Sequence, residues 1–222
     1  IFKLIPILKK YDLIHVHLFP AQYWVALAKK MGIVDTPIIA TEHSTDNRRR
    51  HIYVLKYLER YIYRAYNQLF AISKGVLDNL ASYIGMSNKM KLIKNGVNLE
   101  KIKNATGYNR GPFSLLDTDF VIIMVAGFRH QKDQDTIIRA LTHLPNNVKL
   151  LLVGDGGRRK VCETLVKEAG LEERVHFMGV RQDVPELLKM CDVGVISSHW
   201  EGFGLVAVEY MSAGLPVVAS NV

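Results

Sequence analysis

The sequence predicts an α/β protein that contains two doubly wound parallel sheets. Short β-branched runs alternate with longer amphipathic runs along almost the whole chain, which is the pattern of strands joined by crossover helices. The strand-like runs are continuously apolar, so both faces of each sheet are expected to be covered. A polar, glycine-containing stretch at residues 104–117 separates the two halves. We therefore expect one domain at residues 1–105 and a second at residues 106–222.

The first half contains four short runs rich in β-branched residues and three longer runs with one apolar face. The longest amphipathic run has apolar residues three or four positions apart, at Ile52, Leu55, Leu58, Ile62, Ala65 and Leu69. Helices are predicted at residues 20–32, 47–69 and 74–85. Strands are predicted at residues 12–17, 37–43, 68–73 and 89–96.

The second half repeats the alternation with five strands. Strands are predicted at residues 120–127, 148–156, 174–179, 193–198 and 216–220. Helices are predicted at residues 134–144, 158–170, 184–191 and from Leu205 onward. This order is typical of a sheet whose ligand binds at the carboxyl ends of the strands.

Composition limits the classes of protein that the chain can belong to. Of its 222 residues 49% are hydrophobic and 23% charged, which is ordinary for a globular protein. The two cysteines, Cys162 and Cys191, form neither a disulfide framework nor a zinc-ligand spacing, so a reducing, cytoplasmic setting is expected. No apolar stretch approaches the ~18 residues of a spanning helix. The chain begins at Ile1 and stops soon after an apolar run, which predicts a fragment cut at both ends.

Positive charge is concentrated in the first half. Residues 1–105 hold 17 Lys and Arg against 7 Asp and Glu, whereas residues 106–222 hold 12 against 14. A basic half favours an anionic partner, either an anionic membrane surface or nucleic acid. Solvated surface lysines explain the excess equally well, and no nucleic-acid recognition motif is present.

One stretch carries the strongest chemical signal, HWEGFGLVAVEYMSAGLPVVAS at residues 199–220. It follows a predicted strand, so its glycine-punctuated start lies at the ligand-facing edge, and a helix starting at Leu205 presents unpaired N–H groups to an anion. Glu209 is one turn into that helix, and its carboxylate leans back toward the helix start, where it can accept hydrogen bonds from hydroxyls such as a ribose diol. Glu201 would meet another part of the same ligand. On spacing alone, it is equally possible that Glu201 is an ordinary turn residue and Glu209 an exposed residue on the helix surface.

The segment EGFGLVAVE resembles the E-x7-E motif of retaining glycosyltransferases with the GT-B fold, specifically glycosyltransferase family four. The similarity extends to GLPVVAS, LLLVGDGG, VHFMGVRQDVPELLKMCDVGVISS, KLIKNGVNLEKI, DLIHVH, IIATEHS and AISKGVLDNL. It implies two Rossmann-like domains facing a cleft, the first of them incomplete in this chain. It also implies transfer of a sugar from a nucleotide-sugar, UDP- or GDP-linked, to a glycan or lipid-linked acceptor with retention of configuration, as in the synthesis of cell-envelope polysaccharides. No further cofactor and no metal are expected.

The resemblance also implies roles for individual residues. Glu209 corresponds to the ribose-binding glutamate and Glu201 to the glutamate beside the donor sugar. Lys132 would stabilise the departing diphosphate. The family usually has an arginine where this chain has Gly127, and Arg129 is predicted to substitute for it. The remaining nucleotide-binding positions are Gly202, Phe203, Gly204, Leu205, Val206, Gly154 and Val180.

Histidines mark the acceptor side of the first half. His17 is at a predicted strand end and, by its family position, faces the active cleft, whereas His15 is expected to be buried. His43 follows the next strand and is a second candidate for acceptor binding, although a structural role is equally expected. Two D-x-D triplets, at residues 117–119 and 133–135, are interpreted as turn and capping residues and not as metal ligands.

Besides the nucleic-acid-binding protein suggested by the basic half, two alternatives to an active glycosyltransferase remain open at this stage. A catalytically inactive sugar-nucleotide-binding module is favoured by the missing family arginine. A UDP-sugar epimerase would share the architecture but not the motif. Basic residues of the predicted helix at 47–69, among them Arg48, Arg49 and Arg50, could contact a membrane, but packing on the sheet is the preferred explanation.

Overall fold

The computed structural model describes residues 4–44 and 53–222, apart from the side chains of Tyr53 and Val54. The chain divides into two compact units. The first unit runs to Asn95 and includes Glu201–Phe203, and the second comprises Gly96–Trp200 and Gly204–Val222. Each contains one parallel sheet, so the predicted α/β class with two parallel sheets is confirmed.

The first unit has a four-stranded parallel sheet in the order β1-β2-β3-β4. Its strands are β1 (Ile14–His17), β2 (Ile38–Glu42), β3 (Gln68–Ala71) and β4 (Met90–Leu92). Its helices are α1 (Ile5–Leu8), α2 (Ala21–Lys30), α3 (Tyr53–Tyr63) and α4 (Lys74–Ile84). Apolar residues of α2, α3 and the strands form one buried cluster that includes Val25, Ile38 and Ile62. This packing holds the strands in place and so positions the residues at the carboxyl edge of the sheet.

Two expectations for the first unit are wrong. The helix predicted at residues 47–69 ends at Tyr63, because Asn67 turns toward β2 and accepts a hydrogen bond at Oδ1 from the Ile38 N–H at 2.9 Å. Its residues 47–52, with Arg48 to Arg50, lie outside the described residues. β1 alternates between buried and exposed positions, so one of its faces is open.

A buried carboxylate holds the end of β2 in place. Glu42 is 7% exposed, and its Oε1 accepts hydrogen bonds from Gln22 Nε2 at 2.8 Å and from the Tyr63 hydroxyl. A buried charge needs such partners because its desolvation is costly. Since His43 follows Glu42 directly, this network also fixes where the chain leaves the sheet.

The second unit has a five-stranded parallel sheet in the order β7-β6-β5-β8-β9. Its strands are β5 (Phe120–Val125), β6 (Val148–Val153), β7 (Val175–Gly179), β8 (Val193–Ile196) and β9 (Val217–Ala219). Its helices are α5 (Leu99–Lys103), α6 (Gln134–Leu141), α7 (Arg159–Glu168), α8 (Val184–Lys189) and α9 (Leu205–Ala213). Apolar clusters lie on the two faces of the sheet.

Helix α9 is anchored to the sheet by one side chain. Tyr210 is fully buried, and its ring occupies the space that a Cβ on Gly194 would need, 2.2 Å from the nearest ring atom. Its hydroxyl accepts a hydrogen bond from the Val125 N–H at 2.7 Å. The helix therefore has one fixed rotational setting over β5 and β8, which sets the direction of the neighbouring Glu209.

The two D-x-D triplets have structural partners. Asp119 accepts a hydrogen bond from the Leu116 N–H at 2.8 Å and so closes a turn, as predicted. Asp133 precedes α6, but its carboxylate bonds the Thr136 hydroxyl at 2.6 Å and caps no backbone N–H. Asp135 pairs with Arg158 at 2.6 Å.

The stability of the chain should fall as the pH is lowered through the range of histidine titration. Burial and the nearby Lys149 lower the pKa of His176, and its buried Nε2 has no hydrogen-bond partner among the described residues. Between its folded pKa and the ordinary value of about 6.5, the unfolded chain binds more protons, so the free energy of unfolding decreases as the pH falls. Urea unfolding at pH 7.5 and at acid pH measures this slope.

Single substitutions show whether His176 or another histidine causes this pH dependence. The His176→Phe variant should show a shallower pH slope, whereas the variant of an exposed histidine, His143→Phe, should keep the wild-type slope. Equal slopes in all three proteins would contradict the assignment.

Candidate nucleotide-binding site

The second sheet has a topological switch point between β5 and β8. From β5 the chain goes to β6 and β7 on one side, and β8 and β9 lie on the other side. In open parallel α/β sheets, ligands bind outside the carboxyl ends of the strands at such a point. The loop after β5 carries Arg129 and Lys132, and the loop after β8 leads to Gly204 and α9. The predicted cationic residues and the predicted anion cradle therefore occupy the place that topology favours.

The loops after β5 and β8 are joined by hydrogen bonds. The Ser197 hydroxyl donates within 3.1 Å of the Lys132 carbonyl oxygen and 2.8 Å of the Asp133 carbonyl oxygen. The His199 N–H donates to the Gln131 carbonyl at 2.8 Å, and the Gln131 side-chain amide donates to the Trp200 carbonyl at 2.7 Å. These bonds fix the backbone that carries Lys132 against the backbone that leads into α9.

Helix α9 begins at Leu205, where the sequence predicted it. Its N-cap is Gly204, in the left-handed conformation with φ +69°, and no side chain caps the first turn. A glycine is needed there because other residues rarely adopt a positive φ. The first turn also contains no acidic residue, so its N–H groups and the positive end of the helix dipole suit an anion.

Glu209 lines a cavity of about 380 Å³ in the second unit. The cavity is closed by α5, α8 and the end of β5, and it is lined by Val97, Asn98, Lys101, Ile102, Val125, Gln182, Val184, Pro185, Leu188 and Glu209. Burial raises the pKa of the Glu209 carboxyl. Among the described residues none donates a hydrogen bond to this carboxylate. It is therefore a half-buried acceptor facing a space of the size that small-molecule ligands occupy.

Sequence reasoning missed the polar residues that face Glu209 in this cavity. Asn98 caps the short helix α5 by accepting a hydrogen bond from the Lys101 N–H at 3.2 Å. The Ser212 hydroxyl of α9 donates to the Leu99 carbonyl at 3.2 Å, which joins α5 to α9. In the segment NGVNLEKI, the asparagine before the leucine is a sequence signal for the start of α5. No pattern in the neighbouring sequence shows that Lys101 and Gln182 line the same cavity.

Arg129 is folded back toward Gly127. A Cβ built on Gly127 would lie 3.7 Å from Arg129 Nε and 3.6 Å from the Asp155 carbonyl oxygen, which are ordinary contact distances. The Nε atom of Arg129 thus lies next to the place that the Cβ atom of a larger residue at position 127 would occupy. That Arg129 substitutes for the arginine missing at position 127 stays a prediction.

Gly154 and Val180 follow the two neighbouring strands. A Cβ on Gly154 would lie 2.2 Å from the Ala126 carbonyl oxygen, and its φ is +133°, so close packing of strand ends requires the glycine. Val180 is 71% exposed and leaves its backbone accessible. Gly154 and Val180 both stay predicted nucleotide-binding positions.

The loop after Val180 is held by an ionic network. Arg181 donates to Asp183 from Nε at 2.8 Å and from Nη2 at 2.5 Å, and the Tyr108 hydroxyl donates to the same carboxylate at 2.8 Å. Arg181 lowers the pKa of Asp183 to about 2, so the carboxylate stays ionised. The network fixes the loop that borders the Glu209 cavity.

The histidines predicted for the acceptor side form their own cluster in the first unit. His17 Nδ1 is 2.8 Å from His43 Nε2, so one ring donates and the other accepts. Burial, followed by the charge of His17, lowers the pKa of both His15 and His43, which favours neutral rings. His15 is exposed, contrary to expectation, and its Nε2 is 2.8 Å from the Thr41 hydroxyl oxygen.

The residues described contain no group of three or more His, Cys, Asp or Glu side chains arranged to hold a metal ion. Likewise, no helix in residues 4–44 and 53–222 has the length and apolar character needed to cross a bilayer.

Comparison with known families gives this site a context. The family described as "Glycosyl transferases group 1" matches residues 109–222, slightly more than half of the chain. The chain belongs to the group 1 glycosyl transferases. The family "Glycosyltransferase Family 4" matches residues 1–101. The predicted family is confirmed, and both matches agree with the two sheets of the structure.

Individual group 1 glycosyl transferases are similar over nearly the whole chain. The N-acetyl-alpha-D-glucosaminyl L-malate synthase of Bacillus anthracis is 28% identical, over 95% of this chain and 57% of its own length. The UDP-Gal:alpha-D-GlcNAc-diphosphoundecaprenol alpha-1,3-galactosyltransferase of Escherichia coli is 27% identical, over 96% of this chain and 59% of its own. The crystal structure of Anabaena HepE in complex with UDP-glucose has a TM-score of 0.87 and 27% identity, and it is matched over 99% of this chain and 62% of its own. This chain thus spans somewhat more than half the length of the relatives that it matches.

Arg129 should matter for turnover. The role that the resemblance implies for Arg129 predicts that replacing it with alanine lowers kcat of the full-length protein about tenfold to a hundredfold, because a positive group beside a departing diphosphate would be lost. Adding Gly127→Arg to that variant should restore part of the rate, since a side chain fits at position 127. Steady-state kinetics at saturating donor measure both effects.

Arg139→Ala, which removes an exposed arginine on α6, is the matched control and should keep the wild-type rate. A wild-type kcat in Arg129→Ala would show that Arg129 does not perform the role of the family arginine.

Proposed function

We propose that the protein containing this chain transfers a sugar from a nucleotide-sugar donor to a hydroxyl acceptor, with retention of configuration. The second unit binds the donor, and the residues at the carboxyl edge of the first sheet meet the acceptor. One observation carries the proposal. The half-buried carboxylate of Glu209 faces a nucleoside-sized cavity. Glu209 belongs to α9, and the N-terminus of this helix, which no side chain caps, lies at the switch point of the sheet.

Each part of the donor has a chemically suitable partner in the proposed complex. The ribose hydroxyls donate to Glu209, and the diphosphate meets the backbone N–H groups of Gly204, Leu205 and Val206. Lys132 and Arg129 add positive charge at the oxygen from which the nucleotide departs, so the transition state is stabilised more than the bound donor. Glu201, Gly202 and Phe203 precede the helix and contact the sugar, and Val180 offers its backbone to the base.

Acceptor binding is assigned to the first unit. The imidazole of His17 contacts the sugar being transferred, and His43, which shares a hydrogen bond with it, orients an acceptor hydroxyl. We propose a glycan or a lipid-linked sugar as the acceptor. The Escherichia coli relative, by its name, acts on a diphosphoundecaprenol-linked sugar.

The donor is proposed to be a UDP-sugar, with a GDP-sugar as the alternative, and the reaction to need no metal ion. Anabaena HepE binds UDP-glucose. The proposed setting is the cytoplasm, with peripheral contact between the basic first half and the membrane.

A thermal-shift screen of this chain against UDP-, GDP- and ADP-sugars tests donor binding directly. We expect one nucleotide to raise the unfolding temperature in a saturable way, because a ligand that binds the folded state stabilises it. The same titration on Glu209→Gln should show a much weaker response. If no nucleotide-sugar shifts the transition of the wild-type chain, the proposed donor site is wrong.

A sugar-nucleotide-binding module without catalysis is the second candidate, because position 127 is glycine. Transfer assays on the full-length protein distinguish the two. Donor binding without transfer or donor hydrolysis would favour the inactive module.

A further inference from the structure

The first unit has a basic cavity at the amino edge of its sheet. The cavity holds about 270 Å³ and is lined by Arg60, Tyr63, Arg64, Leu69, Ile84, Gly85, Met86, Ser87, Lys89 and Met90. These residues come from the last turns of α3 and α4 and from the first residues of β3 and β4. His17 and His43 lie at the opposite, carboxyl edge. The cavity is therefore separate from the acceptor-side histidines.

Three of the lining residues are cationic, and the lining contains no acidic residue. Two helices end here, and each helix C-terminus carries roughly half a negative charge, which offsets about one of the three positive charges. An excess of about two positive charges remains. Within the described parts of the chain, no carboxylate forms an ion pair with Arg60, Arg64 or Lys89.

The donors in the cavity are only partly satisfied. The Nε atom of Arg60 is buried and has no hydrogen-bond partner in the described structure. A buried charged donor without an acceptor is costly because it has lost its hydrogen bonds to water, so an acceptor bound here would be stabilising. Lys89 donates to the Tyr66 carbonyl at 3.0 Å, which holds its ammonium group near the cavity.

One further donor and an apolar wall complete the site. The Ser87 hydroxyl oxygen accepts a hydrogen bond from the Lys89 N–H at 3.2 Å, so its own proton can point to a ligand. Leu69, Ile84 and Met90 form the apolar wall, and Met86 stands at the rim with 74% of its surface exposed. Two guanidinium groups, an ammonium group and a hydroxyl suit the oxygens of a phosphate, while the wall suits an organic substituent on it.

We propose that this cavity, the Arg60–Lys89 pocket, binds the phosphate group of a phosphate ester. The ester is either a soluble molecule or the headgroup of a membrane lipid, since both present the same oxyanion. Because the pocket lies on the edge opposite the histidines, the bound phosphate acts as a tether or a regulatory ligand and does not take part in sugar transfer.

Calorimetric titration of the chain with inorganic phosphate at constant ionic strength tests the pocket. We expect saturable binding to the wild-type chain. The Arg64→Gln/Lys89→Gln variant should bind about a hundredfold more weakly, since each charge-assisted bond removed is worth roughly a factor of ten. Both residues are exposed, and circular dichroism checks that the variant is folded.

The control is Lys9→Gln/Lys10→Gln, which makes the same change of charge at exposed positions outside the pocket. It should bind phosphate as the wild type does. Equal phosphate affinity in the pocket variant and the wild type, or no saturable binding to the wild type, would overturn the proposal. Because inorganic phosphate can also bind at the start of α9, support for the pocket comes from the difference between the pocket variant and the lysine control. That difference does not depend on the donor assignment, which can fail without affecting this result.

Vesicles identify the source of the phosphate. Wild-type and pocket-variant chains are sedimented with vesicles of phosphatidylcholine alone and with vesicles that contain phosphatidylglycerol. Loss of phosphatidylglycerol-dependent binding in the pocket variant, but not in the lysine control, would support a lipid headgroup. If the pocket variant loses only inorganic phosphate binding, the result supports a soluble ester.

Discussion

Replacing Lys132 with alanine should lower the kcat of the full-length protein by about 10²–10³-fold. Lys132 lies in the loop after β5, and its carbonyl is held by the Ser197 hydroxyl in the loop after β8. A cation fixed near the departing diphosphate stabilises charge that develops in the transition state, and removal of one such group costs that much in well-studied enzymes. Single-turnover kinetics with saturating donor would measure the chemical step directly.

Two control variants show whether a lower rate in Lys132→Ala comes from the lost charge or from unfolding. Lys160→Ala removes an exposed lysine of α7 and should leave the rate unchanged. Lys132→Arg keeps the charge and should keep part of the activity. An unchanged kcat in Lys132→Ala, with an unchanged unfolding temperature, would remove Lys132 from the mechanism.

Replacing Glu209 with glutamine should weaken donor binding by about 10- to 100-fold. A hydrogen bond to a charged acceptor is worth about 1.5–3 kcal/mol, and glutamine keeps the size of the side chain but not its charge. Titration of the nucleotide-sugar into the chain would measure the dissociation constant. Glu172→Gln, which changes an exposed carboxylate, should leave that constant unaltered.

The same experiment has a pH dependence of known sign. Burial raises the pKa of Glu209, so its carboxylate takes up a proton at a higher pH than an ordinary glutamate. Donor affinity of the wild type should therefore decrease as the pH is lowered toward that pKa. The glutamine variant should lack this component. A pH profile identical in both proteins would show that Glu209 does not hold the donor.

The strands of the second sheet could be predicted closely because their signals are local. The run FVIIMV of β5 is buried at four of its six positions, so a continuous apolar run identifies it. Helix α3 was harder to delimit, since the apolar period continues through Ala65 into Leu69, which belongs to β3. Only the contact of Asn67 with Ile38, 29 residues away, shows that the helix has already ended.

The candidate site divides in a similar way. The start of α9 and the position of Glu209 follow from glycine spacing and helical geometry. The opposite wall of the cavity depends on packing between α5 and α8, some 80 residues apart in sequence, as in the case of Lys101 and Gln182. Helix α5 has only five residues and one buried side chain, Ile102, so no periodicity could reveal it.

The buried anchor of α9 has a consequence for attempts to change the ligand preference of the proposed donor site. Tyr210 ties the helix to two strands, and neither the ring nor Gly194 leaves space for adjustment. Libraries that vary Tyr210 or Gly194 would mostly yield destabilised chains. Variation is better directed to Lys101 and Gln182, whose exposed side chains line the same cavity as Glu209.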